Sequence, residues 1–121
     1  MTRERQEFGQ EGENIAADEL ERRGYEILAR RYRTRYGEID LVASHEGTIV
    51  FVEVKARATA EFGTAAEAVT AQKQRRLAAM ATDYLARNGL IERACRFDVV
   101  AIDGVGEAMV ITVYPCAFEV R

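Results

Sequence analysis

The run Thr48-Ile-Val-Phe-Val-Glu-Val-Lys55 limits the fold more than any other segment of this sequence. It is β-branched and largely apolar at successive positions, which is typical of a strand that is covered on both faces in the middle of a sheet. The run nevertheless carries two charges, Glu53 and Lys55. Because a charge inside a sheet is costly unless it is paired or binds a metal, this strand needs a compensating group.

The other segments predict an α/β chain in the order α-β-β-β-α-β-β. Apolar residues recur at helical spacing over about 9–23 and about 66–88, and a glycine follows each segment. Strands are predicted at 25–32, 37–43, 48–55, 97–102 and 109–114. Short turns between the first three strands predict an antiparallel meander, and the helix before the fourth strand predicts a right-handed parallel crossover. The expected fold is a mixed central sheet flanked by helices.

Length and composition fit one domain over residues 1–121, with residues 1–8 expected to be frayed. No apolar run approaches the roughly 18 residues that cross a bilayer, and the polar first residues lack a secretory signal, so we expect a cytoplasmic protein without a membrane partner.

The chain has two cysteines, Cys95 and Cys116, and one histidine, His45. This disfavours a Cys/His zinc site, and we expect two buried free thiols and an exposed His45 within a turn at 44–47. A mobile loop is expected at 57–64.

The net charge of −3 argues against a general nucleic-acid binder, but the charge is unevenly distributed. Residues 22–36 contain six arginines and one glutamate, with three tyrosines interleaved. Positive charge with aromatic rings suits a phosphate backbone and exposed bases. Alternate arginines can equally protect an edge strand against aggregation, and both interpretations stay open here.

Side chains of a strand alternate between its two faces, which places charges together on the second strand. We expect Glu38 and Asp40 to share one face, with Ile39 and Leu41 on the other. Asp40 can then approach the charged end of the third strand. Glu38 is the weaker candidate for contact with a metal or water, and its alternative partner is a nearby arginine.

Glu53 and Lys55 likewise share a face of the third strand. Two carboxylates on adjacent strands, Asp40 and Glu53, are oxygen ligands suited to a hard divalent cation such as Mg²⁺. A neighbouring ammonium can hold or polarise a water for attack on phosphorus. The alternative is a structural ion pair of Lys55 with one of the two carboxylates.

Lysine is rare in this chain, because fifteen of the seventeen basic residues are arginine. The two lysines are Lys55 and Lys73. A planar guanidinium cannot act as a compact amine beside a metal-bound water, so lysine at position 55 favours a chemical role.

Several motifs together resemble the YraN family of small bacterial proteins. They are Gly9-x-x-Gly12-Glu13, Gly24-Tyr25, Gly37-Glu-Ile-Asp-Leu41, Phe51-Val-Glu-Val-Lys-Ala-Arg57, Phe62-Gly63, Lys73 and Arg96-Phe-Asp-Val99, and they cover nearly the whole chain. That family is similar to the PD-(D/E)xK nucleases, which have a restriction-endonuclease-like core, and among them to archaeal Holliday junction resolvases. Ile39 stands where the nuclease motif has proline, which removes no ligand.

The resemblance implies a metal-dependent endonuclease that hydrolyses phosphodiester bonds of branched or structured DNA in recombination or repair. Asp40 and Glu53 would bind Mg²⁺ or Mn²⁺, together with the main-chain carbonyl of Val54 and with Glu13 on the first helix. Lys55 would orient the attacking water. The alternative function is a nucleic-acid-binding protein that keeps the nuclease fold, cleaves nothing by itself and acts with a partner.

Seven residues are expected to contact nucleic acid, and they are Arg31, Arg33, Arg35, Tyr36, Arg57, Gln72 and Lys73. Lys73, Arg75 and Arg76 are expected near the same site if the second long helix packs across the sheet, with a solvated helix face as the alternative for Arg75 and Arg76. A homodimer is compatible with symmetric cutting of two strands, and two-fold pairs are the commonest assemblies.

Overall fold

The run that begins at Thr48 is the central strand of a five-stranded sheet in the computed structural model, which describes residues 3–57 and 70–118. The elements are α1 (Arg3–Arg22), β1 (Glu26–Thr34), β2 (Gly37–His45), β3 (Thr48–Arg57), α2 (Ala71–Arg87), β4 (Cys95–Asp103) and β5 (Val110–Phe118), with a short 3₁₀ turn at Gly106–Ala108. This α/β order is the predicted one. Phe62, Gly63 and most of the loop expected at 57–64 lie outside the described residues.

The sheet is mixed, with its strands in the spatial order β1-β2-β3-β4-β5. Antiparallel pairing joins β1 to β2, β2 to β3 and β4 to β5, whereas β3 and β4 are parallel. The predicted meander and the parallel pairing of β3 with β4 are therefore confirmed. β3 has a neighbour on each side up to Val52, and only β4 pairs with its charged end at Glu53 and Lys55.

One helix covers each face of the sheet. Ile49 and Phe51 of β3 pack in a core with Leu77, Met80 and other residues of α2. The alternate residues of β3, Val50 and Val52, pack instead in a core that contains Ala16, Ala17 and Leu20 of α1. The apolar run of β3 thus supplies both layers, which is why neither face of this strand could be polar.

The expectation that Ile39 and Leu41 share a face is wrong. Ile39 packs in the α2 core, whereas Leu41 packs in the α1 core. The opposite strand is irregular at the same place, since Arg31 of β1 has a φ of 50°. A residue in the left-handed region interrupts the pleat, so side-chain alternation is lost on both strands there. Asp40 lies between the two apolar residues, at this irregularity.

Several element boundaries differ from the predicted ones. The helix α1 begins at Arg3 rather than at residue 9. The helix α2 begins after Thr70, whose hydroxyl accepts a hydrogen bond from the backbone N–H of Lys73 at 3.2 Å. Such an N-cap satisfies a donor that the helix itself cannot pair. The part of that helix predicted at 66–69 lies outside the described residues.

The turn expected at 44–47 is shorter in the structure. The strand β2 continues to His45, and only Glu46 and Gly47 connect it to β3. Both residues have positive φ, 50° and 82°, as a two-residue hairpin with the twist of its strands requires.

The prediction of buried thiols is also wrong, because Cys95 and Cys116 are both exposed free cysteines. Cys95 begins β4 and Cys116 lies near the end of β5, the edge strand, so the cores do not cover either side chain.

The core depends strongly on Phe51, whose side chain is 1% exposed. We expect Phe51→Ala to lower the free energy of unfolding by about 3–5 kcal/mol, because it removes a fully buried ring and leaves a cavity. Urea denaturation monitored by circular dichroism measures this change. Ile91→Ala is the control, since Ile91 is 58% exposed and its truncation should change stability by less than about 0.5 kcal/mol. Equal effects of the two substitutions would contradict the assignment of the core.

Candidate metal centre and nucleic-acid interface

The strands β2 and β3 separate at Asp40. Their paired residues end at Leu41 and Val52, although β3 continues to Arg57. Beyond that point, the backbone N–H of Val54 donates to Oδ2 of Asp40 at 2.8 Å. The side chain of Asp40 therefore takes the place of a main-chain acceptor on β2. Because the N–H and C=O of one strand residue point to the same side, the carbonyl of Val54 also faces this gap.

Glu53 lies beside the gap and is one of the two buried charged residues among those described, with 6% exposure. It belongs to the face of β3 that α2 covers, as its ion pair with Nζ of Lys73 shows. The predicted approach of the second long helix to the carboxylates is therefore found for Lys73, which lies in the first turn of α2. Gln72 itself is exposed.

The two carboxylates affect each other electrostatically. The pKa of Asp40 is raised to about 7, first by burial and then by the negative charge of Glu53. The charge of Glu13 raises this pKa further, whereas the N–H of Val54 and the charge of Lys73 lower it. Removal of water and repulsion between like charges both disfavour the ionised form. The site thus holds more negative charge than its neighbours compensate.

Lys55 lies on the same face of β3 as Glu53 and is partly buried. Within residues 3–57 and 70–118, its ammonium makes no hydrogen bond and no ion pair. The structural ion pair that was the alternative for Lys55 is thus formed by Lys73 instead. Of the two lysines of this arginine-rich chain, Lys73 pairs with Glu53 and Lys55 shares its strand face.

Glu13 reaches the site from α1. Its Oε2 atom accepts from Nε of Arg31 at 2.7 Å, and its side chain is 16% exposed. The pairing places Arg31 on the α1 side of the sheet, away from Lys73. Each carboxylate of the predicted metal-binding set therefore has a different partner on this chain.

The donor atoms at the gap are oxygens, the type that a hard cation prefers, but they are not grouped around a common position. Asp40, Glu53 and the carbonyl of Val54 offer oxygen ligands, and Mg²⁺ binds through one or two carboxylates while keeping several waters. In the described part of the chain, no three His, Cys, Asp or Glu side chains are close enough together to hold a metal ion. A metal at this site would need Glu53 to exchange its contact with Lys73.

The other residues expected to contact nucleic acid lie in two further places. Arg33, Arg35 and Tyr36 surround the turn between β1 and β2. Glu38 is near Arg33, at 3.4 Å, and so has the arginine partner that was its alternative. Arg57 lies at the carboxyl end of β3, where it pairs with Asp103 of β4 at 3.0 Å.

A polar cluster that the sequence analysis did not assign lies under α1. Asp98 is fully buried and accepts from Tyr25 Oη, Arg96 Nε and the backbone N–H of Cys116, at 3.0, 3.1 and 3.0 Å. His45 is partly buried and stacks on Tyr25 at 4.1 Å, so its predicted exposed position is wrong. In the sequence, the signal that could have predicted this cluster is Asp98, an acidic residue within an apolar strand. The carboxylate oxygens of Asp98 have partners within the fold, as buried polar groups usually do.

Comparison with known proteins places this arrangement in a family. The model of the uncharacterised protein family UPF0102 matches residues 12–102. The chain belongs to this family. UPF0102 is the YraN family that the motifs resemble, so that expectation is confirmed. The matched range includes every candidate residue, from Glu13 to Lys73, and the family's description names no activity.

Two relatives illustrate the similarity. A UPF0102 protein of Symbiobacterium thermophilum is 55% identical over 95 residues, which cover 78% of this chain and 80% of the relative. A UPF0102 protein of Geobacter metallireducens is 42% identical over 119 residues, 98% of each chain. Among the described residues, α1 and α2 included, no helix has the length and apolarity to span a membrane.

The raised pKa of Asp40 gives a testable pH dependence. Because the folded carboxyl, with a pKa of about 7, holds its proton more tightly than an unfolded one near 3.8, ionisation of Asp40 destabilises the fold as pH rises between these values. Asp40→Asn removes this charge and keeps an oxygen for Val54. We expect the Tm of the variant to exceed that of the wild type by several °C at pH 8 in EDTA, with a smaller difference at pH 5.

The matched control is Asp83→Asn. The pKa of Asp83 is lowered, chiefly by the hydroxyl of Tyr32, so its loss should not stabilise the protein at high pH. Differential scanning fluorimetry from pH 5 to pH 8 compares the two variants. A pH-independent difference for Asp40→Asn would show that this carboxyl does not titrate in the raised range.

Proposed function

We propose that this chain is a metal-dependent endonuclease that hydrolyses phosphodiester bonds of branched or structured DNA in recombination or repair. The observation that carries the proposal is the pair Asp40 and Glu53 at the gap between β2 and β3, where mutual repulsion contributes to a pKa of about 7 for Asp40. Lys55 lies on the same strand without a partner in residues 3–57 and 70–118. A buried carboxyl with a raised pKa, such as that of Asp40, is typical of functional sites.

The carboxylates of Asp40 and Glu53 and the carbonyl of Val54 would hold Mg²⁺ or Mn²⁺, with Glu13 completing the site from α1. A bound divalent cation would ease the ionisation of a water and offset charge on the phosphate. The N–H of Val54 engages Oδ2 of Asp40 and holds this carboxylate in place, while Oδ1 makes no hydrogen bond among the described residues.

Lys73 supplies the positive charge next to Glu53 in the arrangement seen here. When Glu53 turns to a cation, the ammonium of Lys73 becomes available for a phosphate oxygen of the substrate. Lys55 has three N–H donors on a compact ammonium, so it can orient a water and stabilise negative charge that develops on phosphorus. These are roles that the guanidinium of arginine, with its fixed planar geometry, fits poorly.

The alternative function is nucleic-acid binding without cleavage, in concert with a partner. The observation that favours it is that Glu13 and Glu53 are already paired with Arg31 and Lys73. A chain that only binds DNA would keep these ion pairs, and the arginines around the β1–β2 turn would supply its affinity for phosphates.

A cleavage assay separates the two functions. Four-way junctions, flaps, single strands and linear duplexes are incubated with Mg²⁺, Mn²⁺ or EDTA. We expect the wild type to cut a branched substrate only with the metal. Asp40→Asn and Lys55→Arg should each lower the rate by about 100-fold or more, since each removes a group that acts on developing charge.

Glu38→Gln is the matched control, because Glu38 lies on the same strand and pairs with Arg33 instead of facing the gap. It should cleave at the wild-type rate. Cleavage that persists equally in Asp40→Asn would reject the catalytic assignment. DNA binding by the wild type without cleavage under any metal condition would favour the alternative function.

A second experiment tests metal binding without DNA. Mn²⁺ should raise the Tm of the wild type in a concentration-dependent manner, because a ligand of the folded state stabilises it by mass action. Asp40→Asn should lose this response. Lys73→Met should respond at lower Mn²⁺ concentration than the wild type, since Glu53 then has no competing ammonium.

Arg75→Met is the control for this helix, because Arg75 is an exposed cation two residues beyond Lys73. It should respond to Mn²⁺ as the wild type does, in the same scanning fluorimetry titration. A weaker response of Lys73→Met than of this control would mean that Lys73 supports the metal site instead of competing with it.

A further inference from the structure

An open groove of about 360 Å³ lies between the β1–β2 turn and the outer side of α2. We call it the hairpin groove. Arg35 and Tyr36 form one wall, and residues of α2 that include Ala79, Ala86 and Arg87 form the other. We propose that the hairpin groove binds an unpaired base of a DNA strand, so that the substrate carries a single-stranded segment beside the cleavage point. This inference rests on the proposed nuclease function and specifies its substrate.

Tyr36 gives this groove an aromatic surface, since the residue is 43% exposed. The guanidinium of Arg35 lies 4.9 Å from the centre of the ring, and its Nη2 atom donates to the hydroxyl at 2.7 Å. A ring held in this way beside a cation is suited to stacking against a nucleobase, because every base offers a π face.

The turn that carries Tyr36 is held in place. The hydroxyl of Thr34 accepts from the backbone N–H of Tyr36 at 3.0 Å and donates to the carbonyl of Gly37 at 3.1 Å. Gly37 has a φ of 135°, and a Cβ atom there would lie 3.5 Å from Sδ of Met80 and 3.7 Å from Cδ of Arg76. The turn therefore lies next to α2, with space for about one methyl group between Gly37 and the side chains of the helix.

The opposite wall, on α2, consists mostly of small side chains and carries no net negative charge. Ala79, Thr82 and Ala86 recur at positions that share one side of the helix, and their small side chains leave room for a planar ring. Asp83 is the one acid in this wall. Its carboxylate accepts from the hydroxyl of Tyr32 at 2.7 Å and pairs with Arg87 at 3.1 Å. Its charge is thus compensated, and Arg35 leaves the groove attractive to a phosphate chain.

The helix α2 connects this groove to the carboxylate site. Lys73, at its start, pairs with Glu53, and the groove residues follow from Ala79 to Arg87. A rise of 1.5 Å per residue places them about 9–21 Å farther along the helix. A strand with the spacing of duplex DNA, roughly 3.4 Å per nucleotide, covers that distance in about three to six nucleotides, and an extended single strand covers it in fewer. One strand that leaves a branch point can therefore reach both places.

The test uses oligonucleotides that contain 2-aminopurine, whose fluorescence falls when the base stacks. Binding is measured in EDTA, where no cleavage is expected, with single-stranded, flapped and blunt duplex DNA. We expect the wild type to quench the probe when it lies in a single-stranded segment. Tyr36→Ala should weaken this binding about 10-fold or more and remove the quenching, whereas Tyr36→Phe should keep both. Leu28→Ala, at another exposed apolar residue of the arginine-rich strand, should bind as the wild type does.

The outcomes separate the groove from the nuclease. If the wild type does not bind single-stranded segments, or Tyr36→Ala binds them with unchanged affinity, the groove proposal is overturned. An equal loss on blunt duplex DNA also overturns it, because Tyr36 would then contact the backbone in general. Cleavage by the wild type and Asp40→Asn on the same flaps is measured separately. Absence of cleavage with intact quenching rejects the nuclease and supports base binding by the groove.

Discussion

The hydrogen bond from the backbone of Val54 to the carboxylate of Asp40 is the contact on which the candidate site depends. A backbone N–H in the interior of a sheet requires a partner. The residues of β2 that precede Leu41 no longer offer their main chain to β3. The side chain of Asp40 takes that place and is drawn into the sheet. The separation of two strands thereby creates both a gap lined with oxygen atoms and a carboxyl whose ionisation the fold disfavours.

Two of the three carboxylates around this gap are compensated locally by cations from different elements. Glu13 of α1 pairs with Arg31 of β1, and Glu53 of β3 pairs with Lys73 of α2, so helices on both faces of the sheet contribute. The net charge of −3 is therefore no guide to what the protein binds. Like-charge repulsion is concentrated at Asp40, while the arginines around the β1–β2 turn stay on the surface. This division suits the proposed nuclease, which would have to attract phosphates and a divalent cation to neighbouring places.

Much of the fold was predictable, because hydrophobic periodicity reports directly on burial. The apolar run of β3 indicated a central strand, and the helix between β3 and β4 indicated a parallel pair. Prediction failed where the backbone is irregular. Arg31 has a positive φ, and the alternation expected for Ile39 and Leu41 is lost beside it. The prediction that Cys95 is buried also failed, because the position of a residue in a strand does not show whether the hydrophobic core covers that end of the strand.

By itself, the sequence determined the central strand, the acids and lysines available to it, and the family to which the chain belongs. These follow from local pattern and from motifs. Only the tertiary structure decided that Lys73 pairs with Glu53, that Asp40 faces Val54, and that His45 stacks on Tyr25. Each of these contacts joins residues that are well separated along the chain. Periodicity describes the face on which a side chain lies, but partner choice depends on how helices and strands pack together in three dimensions.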